Sequence, residues 1–381
     1  MDEILNVSKA ARRIRKAVKH QERIVLFSDS DMDGISSILI LEEAIEHIGG
    51  KVDHMAFSNR ERDGYGMALS VLESFREYAP ALLVLTDLGI GNREEIRQAR
   101  EMGFDVIVID HHEISGDLPP ANIIVNPKQP KDPYVFKTLA ACGLAMKVAE
   151  RVLGSKATKS DKDCIVELAV LGTVADLMPL EQDNREIVER GLLALCSSSR
   201  AGILELRSRH NFCLDPMSTE NLDYPISILG ARDRGEDIPG GYYILRATTQ
   251  QEAKNTILRL ERARKTKDRE VQKVATLLKE RIGTSSPALI FEEVKVSDFV
   301  LLGSIANILV REYDVPVFLH KRKAGASVGS TRAPKSFHVV KAMAKCKDLL
   351  SAFGGHPGAA GFRVENKNIE KFRECLYSQC I

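Results

Sequence analysis

The first third of the chain alternates short, nearly continuous apolar runs with helical patterns. Arg23–Ser28 (RIVLFS), His54–Ser58, Ala81–Thr86 (ALLVLT) and Asp105–Asp110 (DVIVID) read as strands. Between the first two, Ile35, Ile38, Leu41, Ile45 and Ile48 recur at spacings of three or four, which predicts a helix over Gly34–Ile48. Met67–Tyr78 and Asn92–Met102 also read as helices. Strands that are apolar on both faces need cover on both faces, and a helix after each strand makes each connection a crossover. The chain is therefore expected to build an α/β unit around a parallel sheet with helices on both sides.

After Pro133 the pattern turns mostly helical, over Thr138–Leu153, Asp161–Asp176 and Asn184–Cys196. Leu229–Gly241 is rich in glycine and charge and reads as a loop. Gln250–Ile282 reads as one long polar helix, broken at Thr284–Pro287. Strand and helix patterns resume at Ala288–Glu292, Leu301–Tyr313, Val315–His320 and Gly325–Thr331. A helix from Phe337, a glycine-rich turn, a strand and a last helix follow. The expected organisation is a first α/β domain (1–248), a linking helix (249–283) and a smaller α/β domain with a mixed sheet (284–381).

Composition bounds the function classes. The 381 residues are enough for two or three domains, and 44% hydrophobic with 28% charged residues excludes wholesale disorder. Lys+Arg 54 against Asp+Glu 53 leaves a net charge of +1, so the chain is no polycation. Cys142, Cys164, Cys196, Cys213, Cys346, Cys375 and Cys380 are scattered, with no C-x-x-C pair, which argues against a disulfide framework and a structural zinc site. A reduced, cytoplasmic protein is expected. The start is charged and lacks the apolar core of a signal peptide, and no apolar run approaches the ~18 residues of a membrane span.

Three acidic or histidine clusters follow strands directly: Asp29-Ser-Asp31-Met-Asp33-Gly34, Thr86-Asp87-Leu-Gly89 and Asp110-His111-His112-Glu113. A fourth, Gly172-Thr-Val-Ala-Asp176, ends a predicted helix. In a parallel sheet the carboxyl ends of the strands are where ligands bind. Taken singly, each cluster has an ordinary explanation: a helix N-cap, a surface histidine pair, or a Ca²⁺ loop, although that loop's terminal Glu is absent here. Taken together, so many carboxylates at one sheet edge repel one another without a cation. Carboxylates with imidazole and no thiolate suit Mn²⁺ or Mg²⁺, and such a set can hold two ions sharing one carboxylate. A metal pair of this kind activates water and clamps a phosphoryl oxygen, so the clusters point to phosphoester hydrolysis.

These motifs resemble the DHH phosphoesterase superfamily, named for the sequence seen here as Asp110-His111-His112, and within it the RecJ branch of single-strand exonucleases. Asp29–Gly34 resembles the D-x-D-x-D-G motif and Asp87 the single-Asp motif. Leu168–Leu180 (LAVLGTVADLMPL), with Asn184-Arg185 and Gly191-Leu192, resembles the fourth motif and its sequel. Gly354-Gly355-His356-Pro-Gly-Ala359-Ala360-Gly361 resembles the G-G-H-x-x-A-A-G motif of the DHHA1 domain. The resemblance implies two Mn²⁺ (or Mg²⁺). Asp31 and Asp33 would ligate one each, Asp87 would bridge them, Asp29 would complete the first site, and His111 and Asp176 the second. His112 would face the substrate phosphate and Asp110 would orient a histidine. In the second domain Gly354, Gly355 and His356 would cradle a phosphate, and Arg332 of Ser330-Thr331-Arg332 would fork onto one.

Two departures stand out. Relatives carry an Asn-Ala-Ala-Gly-Arg-like segment where this chain has Gly230-Ala231-Arg232-Asp233-Arg234, without the Asn; Arg232 and Arg234 are still expected to touch nucleic acid. Larger bacterial relatives add an OB-fold and a further domain, so the resemblance is to the compact, archaeal-type form.

Charge is unevenly placed. Between Arg259 and Arg281 nine Lys/Arg face four acids, which fits either a helix tracking a phosphate backbone or a solvated bridging helix. Lys9–Arg23 carries seven basic residues and one acid and reads as a surface helix or partner contact.

Three functions compete: an exonuclease on single-stranded DNA or RNA in replication, repair or RNA turnover; a small-substrate phosphoesterase acting on oligoribonucleotides, adenosine bisphosphate or cyclic dinucleotides; and a replication or repair scaffold. A replisome or repair-helicase partner is compatible with the first and the third, and no membrane partner is expected.

Overall fold

The computed structural model describes residues 3–379 apart from 60, 61, 63–65, 115, 214, 216, 217, 232–236 and 284–286. The chain forms two compact units, Met1–Ala263 and Arg264–Ile381.

The first unit contains α1 (Val7–Lys19), β1 (Ile24–Ser28), α2 (Met32–His47), β2 (His54–Phe57), α3 (Leu69–Ser74), β3 (Leu82–Thr86), α4 (Arg93–Glu101), β4 (Asp105–Ile109) and β5 (Ile123–Val125). Helices α5 (Ala141–Leu153), α6 (Lys159–Ala175), α7 (Gln182–Ser197), α8 (Ala201–Arg209), α9 (Asp223–Leu229) and α10 (Gly240–Arg246) follow. All five strands are parallel, in the order β2-β1-β3-β4-β5.

Successive side chains of each strand enter different cores. Ile24, Leu26, Leu82, Val84, Ile107 and Ile109 pack with α1, α2, α5 and α6, whereas Val25, Phe27, Leu83, Leu85, Val106 and Val108 pack with α3 and α4. This two-sided burial is why the strands read as continuous apolar runs rather than alternating ones. The strand order reverses at β1: the chain steps to β2 on one side and returns to β3 on the other. The carboxyl ends of β1 and β3 therefore flank a crevice, the place where open α/β sheets hold their ligands.

Helix α11 (Gln250–Ile282) runs through the boundary between the units. In the second unit β6 (Ile290–Glu293), α12 (Leu301–Tyr313), β7 (Val317–Arg322), β8 (Ala326–Arg332), α13 (Val339–Lys345), β9 (Leu350–His356), β10 (Ala359–Glu365) and α14 (Ile369–Tyr377) form a mixed sheet, order β6-β7-β8-β10-β9, with only β6 and β7 parallel. Leu302, Ile305 and Leu309 of α12 pack on one face with Ala275 and Leu278 of α11, and Met343 and Phe372 on the other.

The structure corrects several sequence expectations. Leu229–Gly241 is not a loop throughout, because α10 begins at Gly240 and buries Tyr242, Ile244 and Leu245. Helix α5 starts at Ala141 rather than Thr138, and α8, α9 and β5 were not anticipated. Gly354 and Gly355 lie within β9 and not in a turn; the turn is the Pro357-Gly358 pair between β9 and β10. The cysteines are not all free either, since Cys196 pairs with Cys213 and Cys346 with Cys375. Separations of 17 and 29 residues carry no pairing signal; only tertiary packing brings these thiols together. Among the described residues no helix is long and apolar enough to cross a membrane.

Candidate metal centre

The site begins with how β1 turns into α2. Asp31 is the N-cap of α2, and its Oδ1 accepts the Gly34 N–H at 3.2 Å. A side chain at Gly34 would put its Cβ 2.1 Å from the Asp29 carbonyl oxygen, so only glycine lets the helix start this close to the end of β1. The turn leaves Asp29 buried, with Oδ1 accepting from the Ser30 N–H at 2.6 Å and the Ser58 hydroxyl at 2.7 Å. Asp33 points instead at the start of α5. The N–H groups of Ala141 and Cys142 each donate to one of its oxygens at 2.7 Å. An anion is favourable at a helix N-terminus, and each carboxylate oxygen keeps a second lone pair for another partner.

At the end of β3 the backbone of Asp87 adopts φ 57, a left-handed conformation uncommon outside glycine. Its N–H donates to the Ile109 carbonyl at 3.0 Å, which fixes the carboxylate in the crevice. After β4, Asp110 is buried and accepts from both neighbours: the Ile90 N–H at 2.9 Å, and the His112 N–H and Nδ1 at 3.1 and 2.8 Å. Asp176 caps the C-terminus of α6. A carboxylate at the negative end of a helix is unfavourable unless a cation compensates it.

These residues converge. Donor atoms of Asp29, Asp31 and Asp87 lie within 4.8 Å of one another, as do those of Asp33, His111 and Asp176 and those of Asp87, His111 and His112. His111 Nε2 is 3.4 Å from Asp87, 3.6 Å from Asp176 and 3.8 Å from Asp33. The two carboxylate groups therefore meet at Asp87 and His111.

Electrostatics show what the cluster lacks. Burial first, then the charges of Asp31, Asp33, Asp29 and Asp110, push Asp87 well above the usual carboxylate range. Burial likewise raises Asp33 to about 6, against the pull of His111. His111 is lowered by burial, which favours the neutral imidazole a metal requires. His112 goes the other way: burial opposes its charge, but the hydrogen bond to Asp110 and the charges of Asp110, Asp29 and Asp176 together outweigh this and raise it to about 9. A divalent cation is what buried, mutually repelling carboxylates with a neutral imidazole fit, and oxygen-rich donors without thiolate suit Mn²⁺ or Mg²⁺. Cys142 is no competitor. Burial, followed by Asp33, keeps its thiol protonated, and it donates to the Ala169 carbonyl at 3.2 Å.

In the second unit Arg332 ends β8. It lies in register with Ala359 of β10, which is in turn in register with His356 of β9. The Ser-Thr-Arg and Gly-Gly-His segments thus share one row of the sheet. Arg332 Nη1 donates to Ser330 Oγ at 3.1 Å and to the Thr331 carbonyl at 2.8 Å. A Cβ at Gly303 of α12 would come within 2.7 Å of Arg332 Nη2, so that glycine makes room for the guanidinium. Gly355 has φ 139, and a Cβ there would strike the Ala359 carbonyl at 2.5 Å, whereas a Cβ at Gly354 would meet nothing within 4 Å. The His356 side chain and all of Arg232 and Arg234 lie outside the described residues.

The chain matches two domain families, the DHH family N-terminal domain over residues 23–173 and the DHHA1 domain over residues 288–380. It carries a DHH domain followed by a DHHA1 domain. Among curated proteins it is similar to the single-stranded-DNA-specific exonuclease RecJ of Bacillus subtilis, at 30% identity over 98% of this chain and 48% of the relative. It is also similar to that of Haemophilus influenzae, at 26% identity over 100% of this chain and 70% of the relative. The DHH–DHHA1 chain thus spans about half the length of the B. subtilis relative. Among solved structures it resembles an exonuclease RecJ bound to manganese (TM-score 0.83, 24% identity, 99% of this chain and 95% of that one). RecJ of Thermus thermophilus in complex with Mn²⁺ gives a TM-score of 0.85 at 22% identity, over 99% of this chain and 55% of that one. These likenesses establish a RecJ fold.

Four contributors to the DHH site went unread in the sequence. Ser58 holds Asp29, the N–H groups of Ala141 and Cys142 hold Asp33, and Ile90 holds Asp110. Ser58 directly follows β2, so the strand-end rule that located the aspartates applies to it too. The α5 contact had a fainter signal in the small-residue run Ala140-Ala141-Cys142-Gly143. The long helix α11 is more paired than its charge suggests: Arg264, Lys267, Lys279 and Arg281 join Asp268, Asp298, Glu312 and Glu292.

Proposed function

We propose that this DHH–DHHA1 protein is a metal-dependent phosphodiesterase that removes nucleotides from the end of single-stranded DNA or RNA. The observation that carries the reading is Asp87, a buried carboxylate shared between two ligand groups that cannot all ionise without cations. One Mn²⁺ or Mg²⁺ would be held by Asp29, Asp31 and Asp87, and a second by Asp33, Asp87, His111 and Asp176. Bound there, the ions would supply an activated water and neutralise charge on a phosphoryl oxygen.

The chain's own residues supply the rest. His112, kept protonated by Asp110, offers a donor to the phosphate, and its charge lies where negative charge develops. Arg332 and the open backbone at Gly354 offer phosphate contacts in the second unit. Support for a polymer comes from the curated relatives, which are named for single-stranded DNA. The small-substrate reading shares the same chemistry and is separated from the polymer reading by assay.

Asp87→Ala is expected to abolish hydrolysis in a folded protein, checked by circular dichroism alongside a Mn²⁺-supported nuclease assay. Ample turnover by that variant rejects the two-metal reading. Wild-type protein offered end-labelled single-stranded DNA, RNA, a dinucleotide and adenosine bisphosphate decides the substrate; consumption of the small molecules alone rejects the exonuclease.

A further inference from the structure

The segment after Asp176 is unusual. Leu177 has φ 54 and is 88% exposed. Among the described residues, those in the left-handed region other than glycine are Asn6, Gln21, Asp87, Lys131, Leu177, Gln182 and Asp314, so Leu177 is the sole apolar one. A branched apolar side chain gains nothing from that backbone and nothing from water, and strain of this kind collects at working sites. Leu180 is exposed as well, and so is Val135 in the loop before α5.

The two loops are anchored together. Buried Asn184, on the first turn of α7, donates from Nδ2 to the Thr138 carbonyl at 2.8 Å and to the Pro179 carbonyl at 3.0 Å. Its neighbour Asp183 accepts from Tyr134 and pairs with Lys147 at 3.0 Å. The apolar edge is therefore fixed in place rather than left loose, and it begins at the residue bonded to Asp176. Arg185, on the same turn as Asn184, is exposed and has no ion-pair partner among the described residues.

We infer that Leu177 and Leu180, with Val135 across Asn184, form an apolar lip that packs against the nucleobase next to the scissile phosphate. The inference rests on the exonuclease reading and adds a base contact to it. A nucleotide presents what the edge lacks: a flat apolar face within one residue of a phosphate at the metal centre, with the following phosphate available to Arg185. A protein seated on the lip would cover the centre instead of feeding it. An apolar face reads no base edge, so the contact is sequence-tolerant.

The test uses the full chain with Mn²⁺ and two short single-stranded DNAs, one intact and one with abasic terminal nucleotides at both ends. Wild-type kcat/KM is expected to favour the intact strand by about tenfold, the size of one stacked-base contact. Leu177→Asn suits the left-handed backbone. It is expected to lose most of that preference without lowering the melting temperature, whereas Leu177→Met, still apolar, keeps it. Loss confined to the intact strand supports the lip. An unchanged preference in Leu177→Asn, or a wild type that degrades both strands equally, overturns the inference alone. A wild type that degrades neither strand yet hydrolyses a dinucleotide overturns the exonuclease reading, and the lip with it.

Discussion

Asp33 and Asp87 are buried among other acids before any cation arrives, and this has a measurable consequence. Asp33 rises from the usual 3.8 to about 6 in the fold, chiefly through burial. The folded chain then holds a proton that the unfolded chain has already released, so metal-free stability falls as pH climbs from about 4 through about 6. His112 does not mask this. Its raised value, about 9, gives stability that is complete below about 6.5 and is lost only as pH passes 9. In the proposed centre Mn²⁺ would replace that proton. The gain in melting temperature with Mn²⁺ over EDTA is expected to be larger at pH 7 than at pH 5, and equal gains would contradict buried, proton-competing ligands.

Elements meet at this centre through missing side chains and through cross-links. Gly172 of α6 faces α5 and α2; a Cβ there would lie 2.6 Å from Cys142 Sγ of α5 and 3.0 Å from Asp33 Oδ1 of α2. Gly172→Ala is expected to cost about 1–3 kcal/mol in urea unfolding and to lower activity as well, because Asp33, one of the two crowded residues, is a proposed metal ligand. Unchanged unfolding and unchanged kcat would show that α6 parts freely from α5 and α2. The disulfides act elsewhere. Cys196–Cys213 ties the end of α7 to the chain ahead of α9, and Cys346–Cys375 ties the end of α13 to α14. Each closed loop is expected to contribute about 3 kcal/mol, read as a fall in the urea midpoint on reduction.

At the scale of the molecule, every candidate metal ligand among the described residues lies between Asp29 and Asp176, inside the first unit. Mn²⁺ is therefore expected to slow amide exchange in β1, β3, β4 and α6 while leaving β7–β10 nearly unchanged in hydrogen–deuterium exchange mass spectrometry. Equal protection of both sheets would place ligands in the second unit. The near-neutral total of +1 also has a local meaning: acids gather at one sheet edge, while many cations of α11 are spent in ion pairs.

The sequence by itself determined the parallel sheet, because strands buried on two faces must be apolar at every position. It also determined the location of the aspartates and histidines, because strand ends are marked by where those runs stop. Helix α11 was legible to its termini for a related reason, since a long periodic segment carries its own evidence. The short helices α8, α9 and α10 were not, because so few residues hold a helix only through tertiary packing. The cysteine pairs and the N–H groups that grip Asp33 were out of reach as well, being meetings between distant segments. Only the tertiary structure decided that Asp87 and His111 are where two acidic groups join, and that Leu177 stands strained and exposed beside them. Distance and backbone angle are properties of the folded chain, and no local pattern records them.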